Sequence, residues 1–490
     1  MRTIINIYRK QSVQVKAGFW FVIAATLQKA FSLITVPVFT RIMSVNQYGI
    51  YSAYLSWLSL MKVFFTLNLE SGAYSNVLGK ENDINIKYEM TISFCNLCFV
   101  IISIGLCIYL LFQNTICQWM NLSSDIVLLM FFGLYSYPII TYWTFQQRFN
   151  YKYKVLIIMT VIEMALNVVI GIVLVCHAEE TLQANKRIFS TVIIDSIIAI
   201  ILYIYYMGKT RKLFVIKDWL ITLRFQVPLL PHFLAMNILF VSDRIMIQKM
   251  IGNRESAVYS ISSNAAQIMI MIKACIVDAI RPWIYEKLNN KDTKCISSVI
   301  LTISISLICF AGFFSLFAPE IVMILSTKEY YQAVYVIPPV AMSSLFTFLY
   351  NVFCVIETYY SKTISIAISS IMAATLNIIL NYLLIPRFGF IVAGYTTLIS
   401  YFLLCLFHYY TICRLQNEGV LYMKTLNILH LLYITVIGFC IIVGVQFIYN
   451  YPLLRYAIII SVFVFALVFR KALYKYVLKS LKKEFRSEWN

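Results

Sequence analysis

Among the ionisable side chains within or at the ends of long apolar stretches, eight are candidates for function: Lys29, Arg41, Lys62, Glu163, Asp195, Arg244, Lys273 and Glu357. A Lys or Arg at the centre of a bilayer costs about 2.5–3.5 kcal/mol on insertion scales, so such a cation is kept only where it faces a watery cavity or a partner. The chemistry open to these cations is the holding of an anion. The chemistry open to Glu163, Asp195 and Glu357 is the loading and release of a proton, or the binding of Na⁺, during a transport cycle. The structural alternative for the carboxylates is an interhelical hydrogen bond or an ion pair with Lys29 or Lys273. No cofactor is expected beyond such an ion. Cys95-x-x-Cys98 sits in an apolar run without a second pair, so no metal or redox site is expected.

Depth ranks the cations. Lys29 lies mid-segment, roughly 20 Å from either end at 1.5 Å per residue, too deep for comfortable snorkelling. Arg244 follows Asp243, and consecutive helical residues point about 100° apart. Arg244 is therefore expected to face a cavity and Asp243 to tie helices together. Lys62 and Lys273 lie within about two turns of an interface, where snorkelling explains each, yet they occupy nearly equivalent places in the two halves of the chain. Arg41 and Lys249 sit at the outer rim, as phosphate contacts or as interfacial anchors. His232, after Pro231, could titrate but reads better as a structural histidine.

The elements that must position these groups are membrane helices. Of 490 residues, 61% are hydrophobic and 12% charged, against roughly a quarter charged in soluble domains. Apolar segments occur at 17–42, 48–69, 88–112, 124–146, 154–177, 188–207, 225–250, 256–281, 296–318, 332–357, 363–386, 390–412, 425–449 and 453–470. Each meets the length of about 20 residues that spanning requires. The net charge of +19 does not indicate nucleic acid, because Lys and Arg concentrate in short connections. Roughly 28 of the 40 fall on one side and roughly 8 on the other, which places both termini in the cytoplasm. Residues 1–16 are polar and basic, and the run after them reads as a membrane helix, not as a cleavable signal. No connection approaches the 50 or so residues of a soluble domain, and no P-loop is present.

The chain carries an internal repeat. RIMSVNQYGIYS (41–52) aligns without a gap with KMIGNRESAVYS (249–260), and Glu70 then aligns with Asp278. Two parallel six-helix bundles would produce this register. The expected organisation is a cytoplasmic segment 1–16, a first lobe 17–207, a linker 208–224, a second lobe 225–412, two further helices within 425–470 and a basic cytoplasmic tail 471–490. Transporters are often built from such repeats, with the substrate between them.

LQKAFSLITVPVFTRIMSVNQYGIYSAYLS (27–56), PLLPHFLAMNILFVSDRIMI (228–247), YSISSNAAQ (259–267), RPWIYEKL (281–288) and LNIILNYLLIPRFGFIVAGYTTLIS (376–400) together resemble the bacterial O-antigen and polysaccharide flippases of the MATE-like superfamily. The resemblance runs from about residue 15 to about 410 and does not reach the last helices. It implies an all-α polytopic protein of about fourteen membrane helices, with two six-helix lobes around a central cavity and two extra C-terminal helices. It implies a protein of the bacterial inner membrane that moves an oligosaccharide on undecaprenyl pyrophosphate to the periplasmic leaflet by alternating access. Membrane lipid, and the polymerase and chain-length regulator of surface polysaccharide assembly, would be its partners, with no nucleic acid. Lys29, Arg244, Lys62, Lys273 and Arg41 would then form a cationic cavity for the pyrophosphate. A drug exporter of the same fold would favour a more acidic or apolar cavity. A polymerase or ligase usually needs a large catalytic loop, which the sequence lacks, so no enzyme activity is expected.

Overall fold

The computed structural model describes Trp20, Phe31 and residues 34–81, 83–210, 212–290, 296–419, 421 and 428–469. Lys29, the N-terminal segment 1–16 and the tail 471–490 lie outside the described residues. The described chain is helical throughout, as lipid demands: with no water to satisfy backbone groups, a helix answers them internally. Every expected segment from 48–69 onward contains one long helix. Among the described residues nine helices are long and apolar enough to cross a membrane, and ten when Val45–Thr66 and the bent continuation Leu69–Lys80 count as one.

Contact clustering divides the chain into two units, Met1–Ala257 and Val258–Asn490. Unit 1 contains α1 (Val45–Thr66), α2 (Ala73–Lys80), α3 (Ile84–Leu111), α4 (Gln113–Met120), α5 (Ser124–Phe149), α6 (Tyr153–Cys176), α7 (Gln183–Met207), α8 (Ile216–Gln226) and α9 (Leu230–Met250). The division falls inside α10 (Asn253–Asn289). Unit 2 continues with α11 (Ile296–Leu316), α12 (Ala318–Leu325), α13 (Ile337–Tyr359), α14 (Thr363–Phe388), α15 (Val392–Asn417), α16 (Ile428–Ile448) and α17 (Pro452–Val468).

Several expected boundaries change. The segment 256–281 is the middle of α10, a 37-residue helix of about 55 Å, longer than the hydrocarbon is thick. Its polar ends, including Arg254, Glu255 and Lys287, had masked its length. The connections near 70–87 and 208–224 hold α2 and α8, helices of 8 and 11 residues. The repeat has a structural counterpart: α1 begins at Val45 and α10 at Asn253, the same separation as Arg41 and Lys249.

In unit 1, α5 packs on α7, α6 on α7, and α1 on α9. The α1–α9 seam is pinned at three levels. Gln226 Nε2 donates to the carbonyls of Leu67 and Asn68 at 2.9 and 3.0 Å. Midway, Asn237 Nδ2 donates to the Ser59 carbonyl at 2.9 Å, and Ser59 Oγ to Asn237 Oδ1 at 3.1 Å. Beyond the far end, Gly49 lies so near the Asn253 carbonyl that a Cβ would stand 1.9 Å from its oxygen. In unit 2, α13 packs on α15 and α11, with α14 against α15. α13 is enclosed, with 83% of its apolar window buried, whereas α6 has 17% and turns most of its surface outward.

Candidate functional site

The local backbone of unit 1 first breaks a span to bring a carboxylate inside. After Thr66, Leu67 and Asn68 adopt left-handed conformations with φ of 53° and 51°, and the chain bends by 63°. A bulky residue there is strained and persists only where its surroundings hold it. The buried Gln226 amide does so. The bend is followed by the 3-10 turn Leu69–Ser71, whose Glu70 is buried.

Glu70 is one corner of a charged cluster. Tyr137 of α5 donates its hydroxyl to Glu70 Oε1 at 3.0 Å. Lys62 Nζ lies 4.4 Å from the centroid of the same Tyr137 ring, a cation–π distance. Lys62 is half-buried and interacts electrostatically with Asp195, Glu70 and Glu163, in that order of strength. Asp195 of α7 is also half-buried, receives a hydrogen bond from the Asn167 side chain and feels Arg187. Its Oδ1 is buried without a hydrogen-bond partner. Arg187, about two turns earlier on α7, is buried and donates from Nη1 to the Asn167 carbonyl, Ser190 Oγ and Thr191 Oγ1 at 3.3, 3.0 and 3.1 Å. Its guanidinium stacks 4.1 Å from the Phe39 ring centroid and 5.5 Å from that of Tyr51. Gly171 on α6 makes room for it, since a Cβ there would stand 2.9 Å from Nη1.

The structure thus brings together Lys62, Glu163 and Asp195 from the sequence candidates, and adds Glu70, Arg187, Tyr137 and Asn167. Asp195 and Glu163 answer to Lys62, which α1 carries into their midst. Arg187 escaped the sequence reading because the segment was started at 188, whereas α7 begins at Gln183. Glu70 escaped because it falls in what read as a connection. Among the described residues this cluster sets three carboxylates against two cations. With every group ionised, one negative charge is left over.

In unit 2 the acid is paired otherwise. Glu357 near the end of α13 and His408 of α15 are both fully buried, with Nδ1 of His408 2.8 Å from Glu357 Oε1. Cys354 Sγ lies 3.6 Å from His408 Nε2, and the Tyr350 ring stacks on the imidazole at 5.9 Å. Glu357 Oε2 is buried and makes no hydrogen bond. Although it lies near the end of α13, Glu357 is fully buried. His408 carried no signal, because nothing in a single sequence pairs positions 51 apart.

The remaining candidates are dispersed. Arg41 is exposed, with Nη1 donating to the Pro37 carbonyl at 2.8 Å. Arg244 is half-buried beside the buried Asp243, and its carbonyl accepts from Ser256 Oγ at 3.1 Å. Lys273 is half-buried on α10 and feels Asp278, which Arg281 engages at 3.5 Å. Lys249 is exposed, with Nζ 4.6 Å from the Trp119 ring centroid and 5.5 Å from that of Trp57. Among the described residues no group of three or more His, Cys, Asp or Glu could hold a metal ion, and the described cysteines are free.

Residues 15–288 match the family model described as polysaccharide biosynthesis protein. The chain belongs to this polysaccharide biosynthesis family. Residues 228–383 of this family member also match the MatE model. In three dimensions it is similar to the lipid II flippase MurJ in an inward closed conformation, at 15% identity and a TM-score of 0.67, over 92% of this chain and 99% of that one. It is also similar to an inward-facing multidrug resistance MATE family transporter of the MOP superfamily, at 13% identity and 0.56, over 80% and 96%. A MOP superfamily transporter from Pyrococcus furiosus, whose binding pocket is described as reversed in polarity, gives 12% identity and 0.54, over 82% and 96%. No curated protein is significantly similar in sequence. At these identities the likenesses establish the fold: this family member is a multi-pass membrane protein with the fold of the MOP superfamily.

Proposed function

We propose that this chain is a flippase that moves an undecaprenyl-pyrophosphate-linked oligosaccharide, of O-antigen type, from the cytoplasmic to the periplasmic leaflet of a bacterial inner membrane. The observation that carries the reading is the family match across 15–288, and the fold shared with a lipid II flippase agrees with it. Both termini lie in the cytoplasm, on the distribution of Lys and Arg. The pyrophosphate needs cations held at depth, and Lys29, Lys62, Arg244, Lys273 and Arg41 are the groups assigned to it.

The cycle is alternating access, driven by H⁺ or Na⁺. Support comes from the surplus carboxylate in the cluster of Lys62, Arg187, Glu70, Glu163 and Asp195, where a bound ion would complete the charge balance. The partnerless Asp195 Oδ1 is the atom such an ion would meet. Glu357 with His408 is a second place for a proton. The polymerase and chain-length regulator of surface polysaccharide assembly are its proposed partners.

A second reading, export of amphipathic drugs, draws on the MatE match across 228–383. Lys29, Arg244 and Lys273 weigh against it, since cations along a substrate path would repel the many such drugs that are cations. The deciding experiment is reconstitution into vesicles with a lipid-linked oligosaccharide in one leaflet and a glycan-modifying enzyme outside. Transfer that exceeds protein-free vesicles and needs the pyrophosphate supports the flippase. Transport of a cationic dye without transfer of the lipid would establish the exporter.

A further inference from the structure

Unit 1 holds a crevice of about 630 Å³ between α1, α3, α4, α5 and α9, lined by Trp57, Phe64, Phe65, Ile104, Trp119 and Phe131 among other apolar side chains. Its size falls within the 300–1,000 Å³ of small-molecule sites. Two of its few polar groups are already engaged. Trp57 Nε1 donates to the Met120 carbonyl at 3.2 Å, and the Tyr109 hydroxyl lies 3.0 Å from Ser124 Oγ. With a lining that is almost wholly apolar, the crevice is unsuited to a sugar and suited to a hydrocarbon chain.

One end of the crevice is charged. Trp57 and Trp119 both line it, with ring centroids 4.7 Å apart, and Lys249 Nζ lies over both rings. Lys249 is exposed and has no acidic partner among the described residues. The corner that carries it is fixed, since Gln248 Nε2 donates to the Asn121 carbonyl at 3.2 Å and to Asn253 Oδ1 at 3.0 Å. An unpaired ammonium at the mouth of a dry aromatic crevice complements a lipid with an anionic phosphate head and a long apolar tail.

We propose that this crevice is a binding site for the undecaprenyl chain, with Lys249 on its phosphate, in the periplasmic half of the membrane. The identity of the lipid rests on the flippase reading; the head-and-tail complementarity does not. The site would hold the carrier lipid where its sugar is delivered, apart from the cations that handle the pyrophosphate during transfer.

The test uses the full chain in nanodiscs with a diazirine-bearing undecaprenyl phosphate, and maps the labelled peptides. Labelling is expected on peptides that contain Phe64, Ile104 or Trp119. Excess undecaprenyl phosphate should abolish it, and the same mole fraction of phosphatidylglycerol should not. Undecaprenol, which lacks the phosphate, should compete about fivefold less well, the factor that corresponds to about 1 kcal/mol for one Lys near a surface. Lys249→Ala should weaken labelling by a similar factor, Lys249→Arg should restore it, and Ile104→Trp, which fills the crevice, should remove it. Equal competition by phosphatidylglycerol would mean that ordinary lipid fills the space, and would overturn the proposal. So would labelling that ignores Lys249→Ala. Selective labelling in a protein that transfers no lipid-linked sugar would leave the site standing and remove the flippase reading. Transfer with unselective labelling would do the reverse.

Discussion

The two units treat buried charge in different ways. Unit 1 gathers Lys62, Arg187, Glu70, Glu163 and Asp195 from a broken span and two long helices, α6 and α7, and leaves its charges unequal. In unit 2, among the described residues, the fully buried acid Glu357 is paired with one histidine, His408. An unequal cluster changes its energy with every ion it gains or loses; a closed pair resists change. The unequal cluster of unit 1 is therefore expected to respond to an ion more readily than the pair in unit 2. The packing agrees, because Glu357 lies on the most enclosed span, α13, and Glu163 on one of the least enclosed, α6.

Breaking the closed pair should give the largest effect on stability. His408→Ala leaves Glu357 buried and unpartnered, at a cost of about 3–5 kcal/mol for a broken buried pair. Thermal unfolding in a fixed detergent should show it, and Glu357→Gln in the same background should recover part of the loss. An unchanged transition in His408→Ala would mean that the pair holds nothing. Next in size is Tyr137→Phe, which takes a hydrogen bond from the buried Glu70. A loss of about 1–3 kcal/mol is expected, together with a shift in the pH dependence of transport, because Lys62 and Glu70 share this ring. A variant with wild-type stability and an unmoved profile would detach Tyr137 from the cluster.

Unit 1 should respond in rate more than in stability. Lys62→Ala removes one of two cations and should slow lipid transfer about tenfold, a change of about 1.4 kcal/mol, while Lys62→Arg retains most of it. Equal rates in all three proteins would place Lys62 outside the mechanism. The smallest effect belongs to the surface of unit 2. Arg414 Nε meets Glu418 Oε1 at 2.8 Å, but the arginine is exposed, so Arg414→Ala should cost no more than about 1 kcal/mol. A larger loss would show that the inner rim of unit 2 is tighter than its exposure suggests.

The sequence announced what depends on length and hydropathy. The long helices, the repeat that places the starts of α1 and α10, and the depth of Lys62, Glu163 and Asp195 are all carried by local composition. What it hid depends on edges and on partners. Arg187 and Glu70 sat just beyond assumed helix ends, where a charge reads as a loop residue. Gln226, which holds the bend after Thr66, lies more than 150 residues from its carbonyls. His408 looks like any polar residue in an apolar helix until α13 and α15 pack. The helices α2 and α8 are too short and too polar for a hydropathy pattern to separate from connections.

The most direct test is to delete the gene in its host and determine which leaflet holds the lipid-linked sugar. The account predicts single repeat units on the cytoplasmic leaflet, with normal distribution restored by this chain and not by an Asp195→Asn, Glu163→Gln double variant present at equal membrane level. Accumulation on the periplasmic leaflet would mean that the sugar crosses without this protein, and would contradict the account.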